Sequence, residues 1–382
     1  MNTKEKAKSK TENKTKTKST TQNRAGTRVL TAAGLAGLFF TLALFATAGV
    51  ASALPCNCGD ICVNETGWWR DGGAFNGSGT PIQAAEDNAA EGETVCVKDG
   101  SYNENVVVNK QRLTIRSENG TANCIVNAAV ETSHVFNVTA NFVNLTGLSI
   151  TGATDDAAGI SHEGAGSHCN FSYNNISTNF DGIFLANTNN NTILGNTLTG
   201  NYCGICLESS NNNTIADNNV SANNEGIALG YSNNNTLTNN TANENNWNGT
   251  SLRHSNNNNL IGNNASNNGE GFVLLHSNNN NKLQNNNASN NENGILLGDS
   301  NNNSLIGNNA NSNYQSGIAV WYSNNNELAG NTANNNGDYG IYQDGIAVRY
   351  SNNNTITGNT ANNNGESGIH LQNSNDNEIS GN

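Results

Sequence analysis

Two histidines and an aspartate recur at one position of a repeated sequence block, where they could bind a metal ion. His254 and His276 are 22 residues apart, and Asp299 follows His276 by 23. If successive repeats stack at the strand spacing of about 4.8 Å, these side chains form a line that suits a divalent metal. Other repeats carry plain polar residues there: Asn187, Ser209 and Asn373. The sequence therefore favours a solvated polar column, with the metal site as the alternative.

Aromatic side chains share that position and point to a different chemistry. The residues are Tyr231, Tyr322 and Tyr350, with Trp321 beside Tyr322. Exposed aromatic rings with a polar tip can stack on sugars, or they can cover the end of a strand. The sequence leaves carbohydrate binding and edge packing equally open.

Carboxylates recur immediately before the glycine that opens each block: Asp181, Glu225, Glu270 and Asp344. Glycoside hydrolysis uses paired carboxylates about 5–9.5 Å apart, and every second repeat would give about 9.6 Å. The column runs along the whole repeat region, however, and no insertion is long enough to build a cleft wall. Basic residues in these repeats stand apart: Arg253, Lys282 and Arg349. We therefore favour a non-catalytic protein over an enzyme.

Eight cysteines follow an export-like leader, and an even number in an exported chain predicts disulfides. The candidates are Cys56, Cys58, Cys62, Cys96, Cys124, Cys169, Cys203 and Cys206. The first three crowd one segment and are expected to staple a cap. Cys203-Gly-Ile-Cys206 lies within a repeat, not at a helix start, so we expect a staple or buried thiols there, not a redox motif.

The block Gly-Ile-x-Leu-x-x-Ser-Asn-Asn-Asn recurs nine times and positions the histidines, aromatic residues and carboxylates named above. Its glycines are spaced by 22, 22, 23, 22, 23, 23, 28 and 23 residues, starting from Gly182. A fixed period of this size indicates a solenoid, in which each repeat contacts only its neighbours. The interval of 28 contains a five-residue insertion before Gly345.

The residue pattern of each repeat predicts three short strands and argues against a pair of helices. Ile227 and Leu229 alternate with small residues, Leu237 follows the Asn run, and Ala242 marks a third inward point. So much Asn and Gly disfavours helix. Asn tolerates the left-handed corners between strands, and stacked amides can hydrogen-bond from coil to coil. The prediction is an all-β parallel β-helix with three short strands per coil of 22–23 residues.

Four segments follow one another along the chain. Residues 1–53 show a basic stretch, an apolar run and Ala51-Ser52-Ala53, as in a cleaved signal peptide; an uncleaved anchor is the alternative. We expect residues 54–93 to form an N-terminal cap. It should contain a short helix from Ile82 to Ala90, since Thr80-Pro81 immediately before it is a good helix start. Residues 94–180 are irregular coils, and residues 181–382 are regular coils whose C-terminal end we expect to be truncated.

The net charge of the chain after the predicted signal segment limits the kinds of molecule that it can bind. Nine of the 17 basic residues lie in the predicted signal segment, which leaves 8 basic against 28 acidic residues, a net charge of −20. Such a surface argues against nucleic acid. Sequons inside the Asn ladder would be sterically poor acceptors, and the favoured glycosylation sites are Asn64, Asn76 and Asn119.

Motifs near the start of the solenoid resemble pectate-lyase-like right-handed β-helix proteins. They are Ile82-Gln-x-Ala, Gly92-Glu-Thr-Val95, Gly100-Ser-Tyr-Asn-Glu-Asn105, Val108-x-Lys110 and Leu113-Thr-Ile115. The repeat itself resembles the NosD-type β-helix repeat of archaeal and bacterial surface proteins. That resemblance implies an exported right-handed solenoid, and it associates the repeat with copper maturation of nitrous oxide reductase and with carbohydrate binding and hydrolysis.

The copper role has little support in the residues. Cu(I) sites use Met and Cys, and Met1, which lies in the signal segment, is the one methionine in the sequence. We therefore predict a secreted, cell-surface or periplasmic protein without a cofactor that serves envelope structure, adhesion or glycan binding. A polysaccharide-active enzyme and a metal-handling protein are the alternatives. Its partner would be a polysaccharide or envelope component, with self-association through the open coil near Ile369, Leu371 and Ile379.

Overall fold

A computed structural model describes residues 55–164, 166–276, 279–338 and 342–382. The predicted signal peptide, residues 1–53, lies outside the described residues. Within the described ranges, no helix is long and apolar enough to cross a membrane.

The described chain is a right-handed parallel β-helix built from three sheets, A, B and C, which it visits in that order in each coil. Sheet A has 16 strands: Ile61–Asn64, Gly67–Arg70, Asn76–Gly77, Thr94–Val97, Thr114–Ser117, Asn144–Thr146, Asn170–Ser172, Thr192–Leu194, Thr214–Ala216, Thr236–Thr238, Asn259–Ile261, Lys282–Gln284, Ser304–Ile306, Glu327–Ala329, Thr355–Thr357 and Glu378–Ser380. Sheet C has 12: Val106–Val108, Phe136–Val138, Ala158–Glu163, Asp181–Ala186, Cys203–Glu208, Glu225–Gly230, Asn248–Arg253, Glu270–Leu275, Asn293–Gly298, Ile318–Trp321, Ile346–Arg349 and Ile369–Gln372.

Sheet B has fewer strands than the repeat pattern predicts. Its six strands are Gly100–Asn103, Cys124–Asn127, Ser149–Thr151, Asn175–Ser177, Thr197–Thr199 and Asn219–Val220. In later coils it continues as single bridges such as Thr241↔Asn264. The predicted three-sided coil is confirmed, and in the C-terminal coils its third side shortens to bridges, because Asn and Ala favour extended structure less than the Thr-Leu-Thr of Thr197–Thr199.

The N-terminal cap combines a hairpin with the predicted short helix. Ile61–Asn64 pairs antiparallel with Gly67–Arg70 and parallel with Thr94–Val97, so it starts the stack. The helix runs Pro81–Asp87, with Pro81 in its first turn. Ile82 and Ala85 pack into the same buried core as the repeat Ile and Leu residues.

Each position of the Ser-Asn-Asn-Asn run has its own role, as one coil shows. The Ser300 N–H donates to Ser323 Oγ inside the coil stack at 2.9 Å. Asn301 accepts from a backbone N–H on the outside, and Asn302 is the left-handed corner, with φ 55°. Asn303 is buried, and its backbone N–H and Nδ2 both donate to Asn326 Oδ1, at 2.8 and 3.3 Å. One ladder of amides is thus buried inside the coil stack and a second runs along its outside, and the Asn at the corner is part of neither.

The repeat glycine is required by close contact between coils, and it also shapes the outer face of sheet C. A Cβ on Gly182 would lie 2.5 Å from the Gly204 carbonyl oxygen. Strand pairing passes directly from Asp181↔Cys203 to Ile183↔Ile205 and skips the glycine, so the backbone bends there. The residue before the glycine and the residue two after it consequently share the outward face.

Candidate functional site

A groove of about 510 Å³ opens on the outward face of sheet C, across the strands from Asp181–Ala186 to Asn248–Arg253. Its floor is formed by outward-facing residues that pair in register on four adjacent strands: Phe184, Cys206, Ala228 and Ser251. These side chains are short after Phe184, so the floor deepens toward Ala228 and Ser251.

Two carboxylates from the predicted column line one side of the groove, with Cys203 in register between them. Burial raises the pKa of Asp181 to about 7, and the charge of Asp156 adds to the effect. Glu225 accepts hydrogen bonds from Ser251 Oγ and, at 3.2 Å, from Asn248 Nδ2. The two acids are two coils apart, about 9.6 Å at the spacing of parallel strands.

An aromatic wall rises beside these carboxylates. Phe180 and Tyr202 stack with ring centroids 4.6 Å apart, and Trp247 packs edge-on against Tyr202 at 5.2 Å. Tyr202 is 41% exposed and Trp247 is 47% exposed, so both present ring surface to solvent. Sequence reasoning missed this wall, although all three residues stand two positions before a repeat glycine. Asn224 and Gly269 occupy that position in neighbouring coils and hide the pattern.

The opposite edge of the groove carries one acid and one base. Glu208, Gly230 and Arg253 lie in one register row at the ends of their strands. The missing side chain at Gly230 leaves room for Glu208, whose carboxylate lies over it. The groove therefore joins aromatic faces, hydrogen-bond acceptors and a guanidinium in one cavity.

The predicted metal column lies at the rim beyond this edge. Tyr231 stacks on His254 with centroids 4.7 Å apart, and His254 stacks on His276 at 5.3 Å and 19°. Asp299 follows at the same left-handed corner, with φ 50°. The imidazole rings of His254 and His276 therefore contact each other by their faces. Among the described residues, the clusters that bring three potential metal-ligand atoms close together do not include His254, His276 or Asp299. A metal at His254, His276 and Asp299 stays a prediction.

The four predicted sugar-contacting aromatics do not form one surface. Tyr322 stacks on Tyr350 at 5.0 Å, and both rings are exposed. Tyr231 lies four coils away, about 19 Å, beside the groove. Trp321 packs instead against Tyr342 at 5.8 Å, within the coil that carries the insertion.

That inserted coil holds a second polar cluster under Tyr342. Asp344 is fully buried, and its carboxylate lies 3.2 Å from Arg349 Nη2 and 3.6 Å from His370 Nδ1. The Arg349 guanidinium also sits 4.0 Å from the centre of the Tyr342 ring. Asp344 was predicted as one member of the carboxylate column before the repeat glycines, and in the structure its side chain is fully buried.

Six cysteines are paired, as Cys56–Cys62, Cys58–Cys96 and Cys203–Cys206. The expectation of disulfides is wrong for Cys124 and Cys169, which are buried free thiols. Both face the solenoid interior, and burial raises the pKa of Cys124 to about 12 and that of Cys169 to about 11. Cys169 Sγ lies 3.6 Å from His162 Nε2.

The favoured sequons are at or near the surface. Asn64 Oδ1 accepts from the Thr66 N–H and hydroxyl, both at 3.0 Å, and Asn119 Nδ2 donates to Asp99 Oδ1 at 3.0 Å. Asn76 is exposed in a two-residue strand. Glycosylation at the three positions stays a prediction.

The fold defines the class of protein as a right-handed parallel β-helix, here with a groove on the outer face of one sheet. Within that class, the family model described as "Periplasmic copper-binding protein (NosD)" matches residues 86–287, so the chain belongs to the NosD family. A right-handed β-helix region model matches residues 277–382. No curated protein matches the chain.

Solved structures share this fold at low sequence identity. The A-module of mannuronan C-5 epimerase AlgE6 from Azotobacter vinelandii is 17% identical, with a TM-score of 0.60 over 78% of this chain and 93% of that chain. The Dettilon tailspike protein is 15% identical, with a TM-score of 0.62 over 74% of this chain and 62% of that one. The AlgE4 A-module, also from Azotobacter vinelandii, is 15% identical, with a TM-score of 0.54 over 78% and 90% of the two chains.

Copper, which the family description implies, does not fit the residues as the structure arranges them. Cu(I) prefers thiolate and thioether ligands, and Cu(II) prefers imidazole. In the described part of the chain both free thiols are buried, and the other cysteines are in disulfides. The exposed imidazoles of His254 and His276 stack face to face.

Proposed function

We propose that the protein is an exported β-helix protein that binds a neutral polysaccharide in the groove of sheet C, without cleaving it. The observation that carries this proposal is the exposure of Tyr202 and Trp247 in the same cavity as Asp181, Glu225 and Arg253. Sugar rings have apolar faces that pack on aromatic side chains and hydroxyls that need hydrogen-bond partners. The groove supplies both kinds of contact.

The polar groups of the groove suit hydroxyls. Glu225 and Glu208 can accept hydrogen bonds from a sugar, and the Arg253 guanidinium can donate them. Ser251 and Asn248 already hold the Glu225 carboxylate in place, so its orientation is fixed before a ligand arrives. Such preorganisation lowers the entropy cost of binding.

Charge favours a neutral glycan over an acidic one. The groove brings Asp181, Glu208 and Glu225 together with a single guanidinium, Arg253. The chain beyond the predicted signal segment has a net charge of −20, from 8 basic and 28 acidic residues. A polyanion would be repelled by this field, whereas an uncharged polysaccharide would not.

Titration calorimetry with neutral and uronic-acid oligosaccharides tests the proposal. We expect binding of a neutral glycan and about tenfold weaker binding by Trp247→Ala, which corresponds to about 1.4 kcal/mol for one lost aromatic contact. Tyr173→Ala is the matched control, because Tyr173 is 61% exposed outside the groove. Equal losses in both variants would refute the groove as the binding site. Release of reducing ends or unsaturated products would refute the non-catalytic part of the proposal.

A further inference from the structure

Three potential metal ligands meet at the acidic side of the groove. The ligand atoms of Asp181, Cys203 and Cys206 all lie within 4.8 Å of one another. Asp181 and Cys203 are register partners on adjacent strands, and Cys203 and Cys206 flank the bend at Gly204 with their Cα atoms 6.2 Å apart. The backbone of the coil stack thus sets this triangle.

The two cysteines form a disulfide that can be reached from the groove. Cys206 is half-buried and lines the cavity, although Cys203 is 2% exposed. The other cysteine group, Cys58, Cys62 and Cys96, differs in two respects. Its Cys62 and Cys96 are completely buried, and its members belong to two separate disulfides. Cys58 of that group is, like Cys206, only partly buried, but it does not line the groove.

We propose that a dithiol reductant converts the Cys203–Cys206 disulfide into a Zn²⁺ site that includes Asp181. The dithiol is oxidised to its own disulfide, and its two electrons and two protons turn the cystine into two thiols. Zn²⁺ then displaces the two thiol protons and takes two thiolates and one carboxylate oxygen as ligands. A water molecule from the open groove completes a tetrahedral set, as in zinc sites with three protein ligands.

The donor set selects the metal. Two thiolates exclude Mg²⁺ and Ca²⁺, which take oxygen ligands, and the carboxylate disfavours Cu(I), which prefers sulfur throughout. Zn²⁺ accepts sulfur and oxygen together. This inference does not depend on glycan binding, because its test contains no glycan.

The test compares untagged oxidised protein with protein reduced by dithiothreitol and desalted without oxygen. We expect one Zn²⁺ per reduced chain, none on the oxidised chain, and thiolate-to-metal charge transfer when Co²⁺ replaces Zn²⁺. Asp181→Asn should weaken Zn²⁺ binding at least tenfold while the charge-transfer band remains. Asp156→Asn, a change to a neighbouring acid outside the triangle, should bind as the wild type does.

The double variant Cys203→Ser/Cys206→Ser decides the location of the site. It should fold, because the same two positions in other coils carry pairs such as Asn248 and Ser251. Loss of Zn²⁺ and of the charge-transfer band in this variant supports the proposal. Unchanged Zn²⁺ binding, or a reduced wild type that binds none, overturns it.

Discussion

Replacing Glu270 by Gln should change how the stability of the protein depends on pH. Glu270 precedes a repeat glycine on sheet C, and burial raises the pKa of its carboxyl from 4.5 to about 7. Its two oxygens accept hydrogen bonds from the Asn293 N–H at 3.0 Å and from Asn293 Nδ2 at 3.1 Å. These bonds favour the carboxylate but do not offset its burial.

The direction of the effect follows from proton linkage. Between pH 4.5 and about 7 the folded protein keeps a proton that the unfolded chain has lost, so the free energy of unfolding falls as pH rises through this window. At 1.36 kcal/mol per pKa unit, the whole penalty is about 3 kcal/mol. Glu270→Gln removes the charge but places an amide NH₂ near the Asn293 N–H, which costs about 1 kcal/mol. The variant should therefore be about 1 kcal/mol less stable at pH 4 and about 2 kcal/mol more stable at pH 8.

Urea unfolding followed by circular dichroism at pH 4, 6 and 8 measures this difference, provided that both proteins have the same m-value. Glu244→Gln is the matched control, since Glu244 is exposed and is not among the groups that shift the pKa of Glu270. Its stability relative to wild type should stay nearly constant with pH. A Glu270→Gln curve parallel to that of the wild type would mean that Glu270 is not buried, and the placement of this column would be refuted.

The remaining predictions concern the coil that contains Ile295 and can be checked by thermal melts. Ile295→Asp puts an unpartnered charge at a position with no exposure and should cost several kcal/mol, whereas Asn302→Ala changes an exposed corner and should cost about 1 kcal/mol or less. Asn303→Ala removes a buried ladder amide and should cost about 2–3 kcal/mol, so a smaller effect than that of Asn302→Ala would contradict the ladder assignment. Gly294→Ala brings a Cβ to 2.5 Å from the Gly317 carbonyl oxygen and should cost about 1–3 kcal/mol.

Much of the fold could be predicted because each repeat places the same kinds of residue at the same positions, so that successive coils fold in the same way. The alternation of Ile205 and Leu207 gave a strand with one buried face, and both side chains are buried. The shared offset of His254 and His276 predicted neighbours, and their rings stack. Regular spacing is sufficient here because each coil contacts only the coils beside it.

The candidate groove could not be predicted in the same way, because it departs from the repeat. Tyr202 and Trp247 come from coils that are not adjacent, and the coil between them carries Asn224 at the same position. Cys124 belongs to an irregular coil and faces the core, which no count of cysteines reveals. Likewise, the sequence pattern does not show that the side chain of Asp344 is fully buried.

Hydroxyl-radical footprinting of the aromatic side chains, with and without a neutral oligosaccharide, tests the central claim most directly. Tyr202 and Trp247 are 41% and 47% exposed in the free protein, and Tyr231, Tyr322 and Tyr350 are exposed at the alternative positions. The account predicts that the oligosaccharide protects Tyr202 and Trp247 and leaves Tyr322, Tyr350 and the control Tyr173 as reactive as before. Protection of Tyr322 and Tyr350 without protection of Trp247 would contradict it and move the glycan site away from the groove.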